Sequence, residues 1–377
     1  MYLQATVGAV DVSTDKFAWH ENLGHNLIDE VSIEIGGQTI DKHYGIWLNI
    51  WNDLTQTSEK ADGYSNMIGN VDSMTLYNAG GAGAETPAYT MYIPLQFWFC
   101  RNPGLALPLI ALQYHEVKFN ITFSNFNANL YQTDGSPSKP TLDASLYVDY
   151  IYLDTDERRQ FAQVQHEYLI EQLQFTGAEA VSASSAYKSK LALNHPCKEL
   201  VWVIQDSGAS ASPLALKTID SAKLQLNGQD RFSERDGSYF NLVQPYQHHT
   251  CIPRDGIYVY SFALNPEQHQ PSGTVNMSRI DNATLHITTG AGGGNLKVFA
   301  VNYNVLRVMA GINLYLCQTV SCIISSTIAY YEKQCKIVGD LLYKSLYNWL
   351  VNREPILGLQ QLQIAGTSLE PKLPSLC

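Results

Sequence analysis

The sequence predicts an all-β protein made of two successive antiparallel sandwiches or barrels. Three observations carry that prediction: short alternating strands, a composition suited to sheets, and a chain that repeats itself. Val117-Lys118-Phe119-Asn120-Ile121-Thr122-Phe123 alternates apolar and polar residues, which places four apolar side chains on one face. Val31-Ser32-Ile33-Glu34-Ile35 does the same and stops at Gly36-Gly37. Ala222-Lys223-Leu224-Gln225-Leu226 does it again and stops at Asn227-Gly228, the strongest short hairpin signal in the chain. Many short strands between Gly, Pro and Asn loops indicate a sandwich or barrel.

The composition agrees. Of the 377 residues, 45% are hydrophobic and 16% charged, below the ~25% charged residues usual in soluble domains. Twenty-three tyrosines carry polarity in place of Lys and Glu, which suits sheet surfaces and disfavours a helical bundle. Apolar residues spread along most of the length exclude a disordered chain. A net charge of -11 argues against wrapping nucleic acid, because neutralising phosphates needs clustered Lys and Arg. The N-terminal stretch lacks a basic region followed by an apolar core, so no secretory signal is predicted. Cys100, Cys197 and Cys251 are scattered and are predicted to be buried thiols.

The internal repeat sets the domain organisation. Residues 32–38 (SIEIGGQ) align with 223–229 (KLQLNGQ), and 47–50 (WLNI) with 239–242 (YFNL) after one extra residue. Phe99-Cys100-Arg101-Asn102-Pro103 has a counterpart in Phe262-Ala263-Leu264-Asn265-Pro266. VKFNITF (117–123) matches ATLHITT (283–289), and YVDYIYLD (147–154) matches the closing LKVFAVNYNVL (296–306). Landmarks that recur in one order point to duplication, and a period of roughly 150–190 residues is a whole domain rather than a solenoid unit. Domains are therefore expected at 1–160 and 161–311, with the boundary near Asp156-Glu157-Arg158-Arg159. The repeat is also a ruler. The second copy opens with HEYLIEQLQF at 166–175, about sixty residues before Gln229, whereas Gln38 has 37 residues before it. The first domain is expected to lack its opening strands, as if the chain were N-terminally incomplete.

These same stretches resemble a known family. Residues 30–55 (EVSIEIGGQTIDKHYGIWLNIWNDLT), 93–123, 166–175, 194–205 (NHPCKELVWVIQ) and 298–311 (VFAVNYNVLRVMAG) are similar to the major capsid proteins of nucleocytoplasmic large DNA viruses. The resemblance covers residues 1–311. It implies two tandem eight-stranded jelly rolls and no enzyme. It also implies a homotrimer forming a pseudo-hexagonal capsomer, with neighbouring capsomers and minor capsid proteins as partners. The implied location is the virion capsid, assembled in the cytoplasm of the infected cell. Members of the family have a longer N-terminal region and stop shortly after the motif matching 302–311. Residues 312–377 have no counterpart in it.

The residues themselves supply little chemistry. His20 and His25 are five apart, which turns the second ring off the face of the first on a helix, so no zinc site is expected. His195-Pro196-Cys197, His248-His249 and Cys317 with Cys322 lack partners at ligand spacing. Gly80–Gly83 and Gly290–Gly294 carry no phosphate-binding signature. No nucleophile elbow and no carboxylate pair stands out. The expectation is no catalytic residue, no metal and no cofactor. Trp98, Arg101, Asn102 and Pro103 are candidate interface residues, since aromatics and Arg anchor interfaces and Pro103-Gly104 ends the strand. Asn120, Asn276 and Asn282 lie in glycosylation sequons. The alternative class is a carbohydrate-binding or carbohydrate-active β-sandwich, supported by Tyr and Trp abundance.

The tail differs from the rest. Residues 312–331 carry no charge for twenty positions until Glu332, but their Asn, Gln, Ser and Thr make a membrane span unfavourable. Ile337, Val338, Leu341, Leu342, Leu346, Trp349 and Leu350 fall near helical spacing. A helical extension outside the repeat is expected, and no membrane insertion of the sandwiches.

Overall fold

The computed structural model describes residues 1–11, 16–77, 85–113, 115–127, 130–133, 135, 137–208 and 212–308, and the backbone of 314–316. It contains two antiparallel β-sandwiches in sequence, both within Met1–Cys317. The first uses β1 (Tyr2–Val7), β2 (Ile28–Ile35), β3 (Gln38–Tyr44), β4 (Tyr89–Pro94), β5 (Val117–Phe123) and β6 (Leu142–Tyr147). One sheet runs β6-β1-β4 and the facing sheet β3-β2-β5. The second uses β7 (His166–Val181), β8 (Ala186–Leu191), β9 (Pro196–Gln205), β10 (Ile219–Leu226), β11 (Ile257–Ser261), β12 (Ala283–Thr289) and β13 (Gly294–Val308). Its sheets run β7-β13-β9-β11 and β8-β12-β10.

The repeat reappears in the topology. Both aligned hairpins turn as the sequence predicts: Gly36 and Gly37 have φ of 60° and 82°, Asn227 and Gly228 of 50° and 80°. Two successive left-handed residues match the twist of the flanking strands, so Gly and Asn are selected there. β5 pairs with β2 as β12 pairs with β10. β1 lies between β4 and β6 as β9 lies between β11 and β13.

The copies differ at their edges. β13 is flanked by both β7 and β9, and β12 by both β8 and β10. Among the described residues of the first sandwich, β6 has only β1 beside it and β5 only β2; no counterpart of β7 or β8 is present there. The inward residues of β12 are buried, whereas those of β5 are only half-buried. The alignment also needs a correction. The closing strand of the first copy is Leu142–Tyr147, and 148–154 is not strand, although the sequence match was to 147–154. β13 is held in its ladder by β7 along its length, while no described strand flanks 148–154.

Among the described residues, three apolar clusters organise the interior. One fills the first sandwich, with Leu3, Ala5, Ile33, Ile93 and Phe97, and is sealed by Ile170, Leu306 and Val308 from β7 and β13. A second fills the second sandwich, with Leu200, Trp202, Leu224, Phe240, Ile287 and Val298. The third lies between the two, on α2 (Gly45–Thr55), which follows the first hairpin; α1 (Leu23–Leu27) precedes that hairpin and α3 (Ser58–Met67) follows α2. Gly80–Gly83 lie outside the described residues, as does the predicted tail helix; Leu314–Leu316 adds a short strand beside β13. Among the described residues, no helix is long and apolar enough to cross a membrane.

Candidate assembly surfaces

The seam between the sandwiches is built on α2. Its apolar residues recur at helical spacing, Trp47, Ile50, Trp51 and Leu54, giving one buried stripe. That stripe packs on the outer face of the second sandwich: Val201 and Val203 of β9, Ile257 and Val259 of β11, Phe299 and Val301 of β13. Trp47 meets Phe299 with ring centres 5.5 Å apart, and Phe299 stacks on Phe175 at 4.9 Å. Residues from separate sandwiches thus form one dry core, and burial of such aromatics dominates the energy of a contact.

Polar groups close the seam around this core. Arg254 donates from Nε to Asp53 Oδ2 at 2.5 Å, and the Cys251 amide donates to the Leu54 carbonyl at 3.0 Å. The Leu173 amide donates to Asp41 Oδ1 at 3.0 Å, and Gln172 to the Ile40 carbonyl. Glu171 of β7 receives Arg101 at 2.9 Å and Lys198 at 2.8 Å. Lys198 is fully buried and also donates to the Pro266 carbonyl at 2.5 Å. Burial pulls its ammonium below the ordinary lysine range against the pull of Glu171 and Glu199. Beside it, His249 lies 3.0 Å from both Glu199 Oε2 and Glu267 Oε1. Burial opposes the charge on this imidazole, but the two carboxylates prevail and raise its pKa to about 9.

The residues singled out in the sequence fall into place as follows. Trp98 is buried in the first core. Arg101 donates to the Gln96 carbonyl at 2.9 Å, pairs with Glu171, and lies 4.3 Å from the centre of the Trp51 ring. It thus serves the seam within the chain. Asn102 caps a turn by accepting from the Gly104 amide at 2.9 Å, with Pro103 in the first position of that turn. Asn120, Asn276 and Asn282 are exposed, and Asn276 also accepts from the Ser278 amide at 3.1 Å.

His25 is buried in an amide cluster. Its Nδ1 is 2.9 Å from Asn49 Oδ1 and its Nε2 2.8 Å from the Tyr64 hydroxyl, while Asn49 donates to Asn26 Oδ1 at 2.9 Å. Burial holds this imidazole down at about 4, so it stays neutral and joins α1, α2 and α3. Among the described residues, no three His, Cys, Asp or Glu are grouped to hold a metal. Cys197 is a buried thiol, pushed up by burial; Cys100 and Cys251 are only half-buried. Cys317 and Cys322 lie outside the described residues. Sequence reasoning missed the seam helix. The spacing 47, 50, 51, 54 was its signal, read there only as a repeat landmark.

Two jelly-roll sandwiches joined through a dry seam, with charged groups around it, define a double jelly-roll architecture. Residues 1–154 match the family described as major capsid protein N-terminus, and 157–313 the large eukaryotic DNA virus major capsid protein. The major capsid protein of Pyramimonas orientalis virus is 55% identical over 83% of this chain and 81% of its own length. That of Paramecium bursaria Chlorella virus 1 is 41% identical over 76% and 78%. A quasi-atomic PBCV-1 virus capsid structure superposes with a TM-score of 0.69 at 36% identity, covering 85% of this chain and 90% of that one. The Faustovirus major capsid protein shares the fold, with a TM-score of 0.63 at 11% identity over 81% and 85%. This chain belongs to the large eukaryotic DNA virus major capsid protein family, and it is a structural capsid subunit rather than an enzyme.

Proposed function

We propose that the chain assembles as a homotrimer whose six sandwiches surround a pseudo-sixfold axis, and that such capsomers tile an icosahedral shell. The observation that carries this reading is the duplicated sandwich with its dry α2 seam: three chains present six similar units. Neighbouring capsomers and minor capsid proteins are the partners, and assembly takes place in the cytoplasm of the infected cell. Residues 1–160 and 161–311 are the two structural units, and 312–377 is an extension outside the repeat. The net charge of -11 suits a shell that does not adhere to its genome. Exposure leaves Asn120, Asn276 and Asn282 open to sugars, which mass spectrometry of virion protein would detect.

The carbohydrate-binding alternative loses its tryptophan support, because every tryptophan among the described residues is buried. Sedimentation of the full chain is the test. A species of three times the chain mass that persists on dilution supports the trimer, and a monomer at high concentration contradicts it.

A further inference from the structure

The two copies treat one set of aligned positions in opposite ways. Carrying the alignment of 47–50 with 239–242 forward pairs Leu48 with Phe240 and Asn49 with Asn241. All four are buried, and Leu48 and Phe240 enter the core of their own sandwiches. Gly45 and Gly237 also correspond: a Cβ there would run into the Ile28 carbonyl oxygen in one copy and the Ile219 carbonyl oxygen in the other. The segments therefore have equivalent placements. Yet Ile50, Trp51 and Leu54 are 1%, 5% and 0% exposed, while their partners Leu242, Val243 and Tyr246 are 46%, 40% and 77% exposed. In the first copy these residues dock on the neighbouring sandwich. In the second they face solvent.

The receiving faces show the same imbalance. The outer face of β9, β11 and β13 is covered by α2. Among the described residues no element covers its counterpart on β1, β4 and β6, which carries Tyr2, Tyr92 and Tyr147, with Tyr2 and Tyr147 stacked at 5.2 Å. An open, mainly apolar hollow of about 540 Å³ lies beside it, bounded by Met1, Tyr2, Met67, Tyr92, Pro94 and Leu95. Tyrosine is favoured at interface centres because it buries area at low entropic cost.

We infer that residues 242–246 of one chain dock on the outer β6-β1-β4 face of a second copy, reproducing between chains the seam that α2 makes within one. The occupant is a second copy because the chain already displays this contact, ligand and receptor both, once. Leu242-Val243-Gln244-Pro245-Tyr246 carries no charge, so docking on the tyrosines desolvates no ion in that segment. A contact between unlike surfaces is head-to-tail, and it closes into a ring when its rotation divides the circle. The inference rests on the trimer proposed above and assigns its surface.

The test uses the full chain with a benzophenone amino acid in place of Tyr246, irradiated and digested. The expected product links position 246 to a peptide containing Tyr2, Tyr92 or Tyr147 from another chain. Separately, Leu242→Asp with Tyr246→Asp is expected to shift sedimentation from trimer to monomer, with the far-ultraviolet circular dichroism unchanged. If the unsubstituted chain is itself a monomer, the trimer fails and this surface with it. If the chain is a trimer that cross-links elsewhere and survives both aspartates, the surface assignment alone is overturned.

Discussion

Arg101 and Glu171 meet across the two sandwiches at 2.9 Å, with the guanidinium held over Trp51 of the seam helix. Glu171 is nearly buried and also answers the fully buried Lys198 at 2.8 Å. Removing the shared carboxylate strands two cations, one of them without water. Breaking a buried pair by deleting one partner costs about 3–5 kcal/mol. Glu171→Ala is therefore expected to lower the denaturant midpoint sharply, and Arg101→Ala, on the half-exposed side, to lower it less. Equal losses would show that Lys198 does not depend on Glu171.

Trp51 tests the dry part of the seam. Trp51→Ala removes a buried indole from both Ile50–Leu54 packing and the Arg101 stack, and is expected to cost about 3–5 kcal/mol. Tyr152, 92% exposed, is the control: Tyr152→Ala is expected to stay within about 0.5 kcal/mol. Urea titrations of both variants give the comparison.

His249 makes stability depend on pH. Its folded pKa of about 9 stands above the ordinary 6.5, so the charged imidazole contributes fully below pH 6.5. That contribution is lost as the pH rises through about 9, leaving Glu199 buried without its cation. Unfolding midpoints measured from pH 6.5 to 9.5 are expected to fall for the natural chain. His249→Gln is expected to be less stable at pH 6.5 and to show a flatter profile. Parallel profiles would rule out this imidazole as the source.

Gly45 and Gly237 are a matched pair. Each lies against a carbonyl oxygen at the same place in the repeat, so a methyl group has nowhere to go. Gly45→Ala and Gly237→Ala are both expected to destabilise, by more than the ~1 kcal/mol typical of a point substitution. Gly63 has open space around its Cβ direction in α3, and Gly63→Ala is expected to stabilise by a few tenths of a kcal/mol up to about 1. Thermal melts of the three variants decide this.

Much of the fold was legible because strand and hairpin signals are local. The alternation at 117–123 and the turns at Gly36-Gly37 and Asn227-Gly228 need only neighbouring residues to act. Duplication was legible because both copies keep the same landmarks in order. The edge of the closing strand was not, since whether 148–154 stays extended depends on a flanking strand rather than on its own pattern. The charges were invisible for the same reason: Glu171, Lys198 and His249 are scattered in sequence and gathered by the fold of the second sandwich, and Arg101 reaches Glu171 only because the two domains pack. Arg101 was expected at an interface, and the contacts it makes with Glu171 and Trp51 are inside the chain.

In the proposed capsomer one seam is used twice, within the chain by α2 and between chains by residues 242–246. Electron cryomicroscopy of the assembled capsomer at side-chain resolution tests it most directly. The expected map shows three chains with six α2-like contacts around the ring, alternately internal and intermolecular, with Leu242, Val243 and Tyr246 buried against Tyr2, Tyr92 and Tyr147 of the next chain. A capsomer in which those three residues face solvent, or one without threefold symmetry, would contradict it.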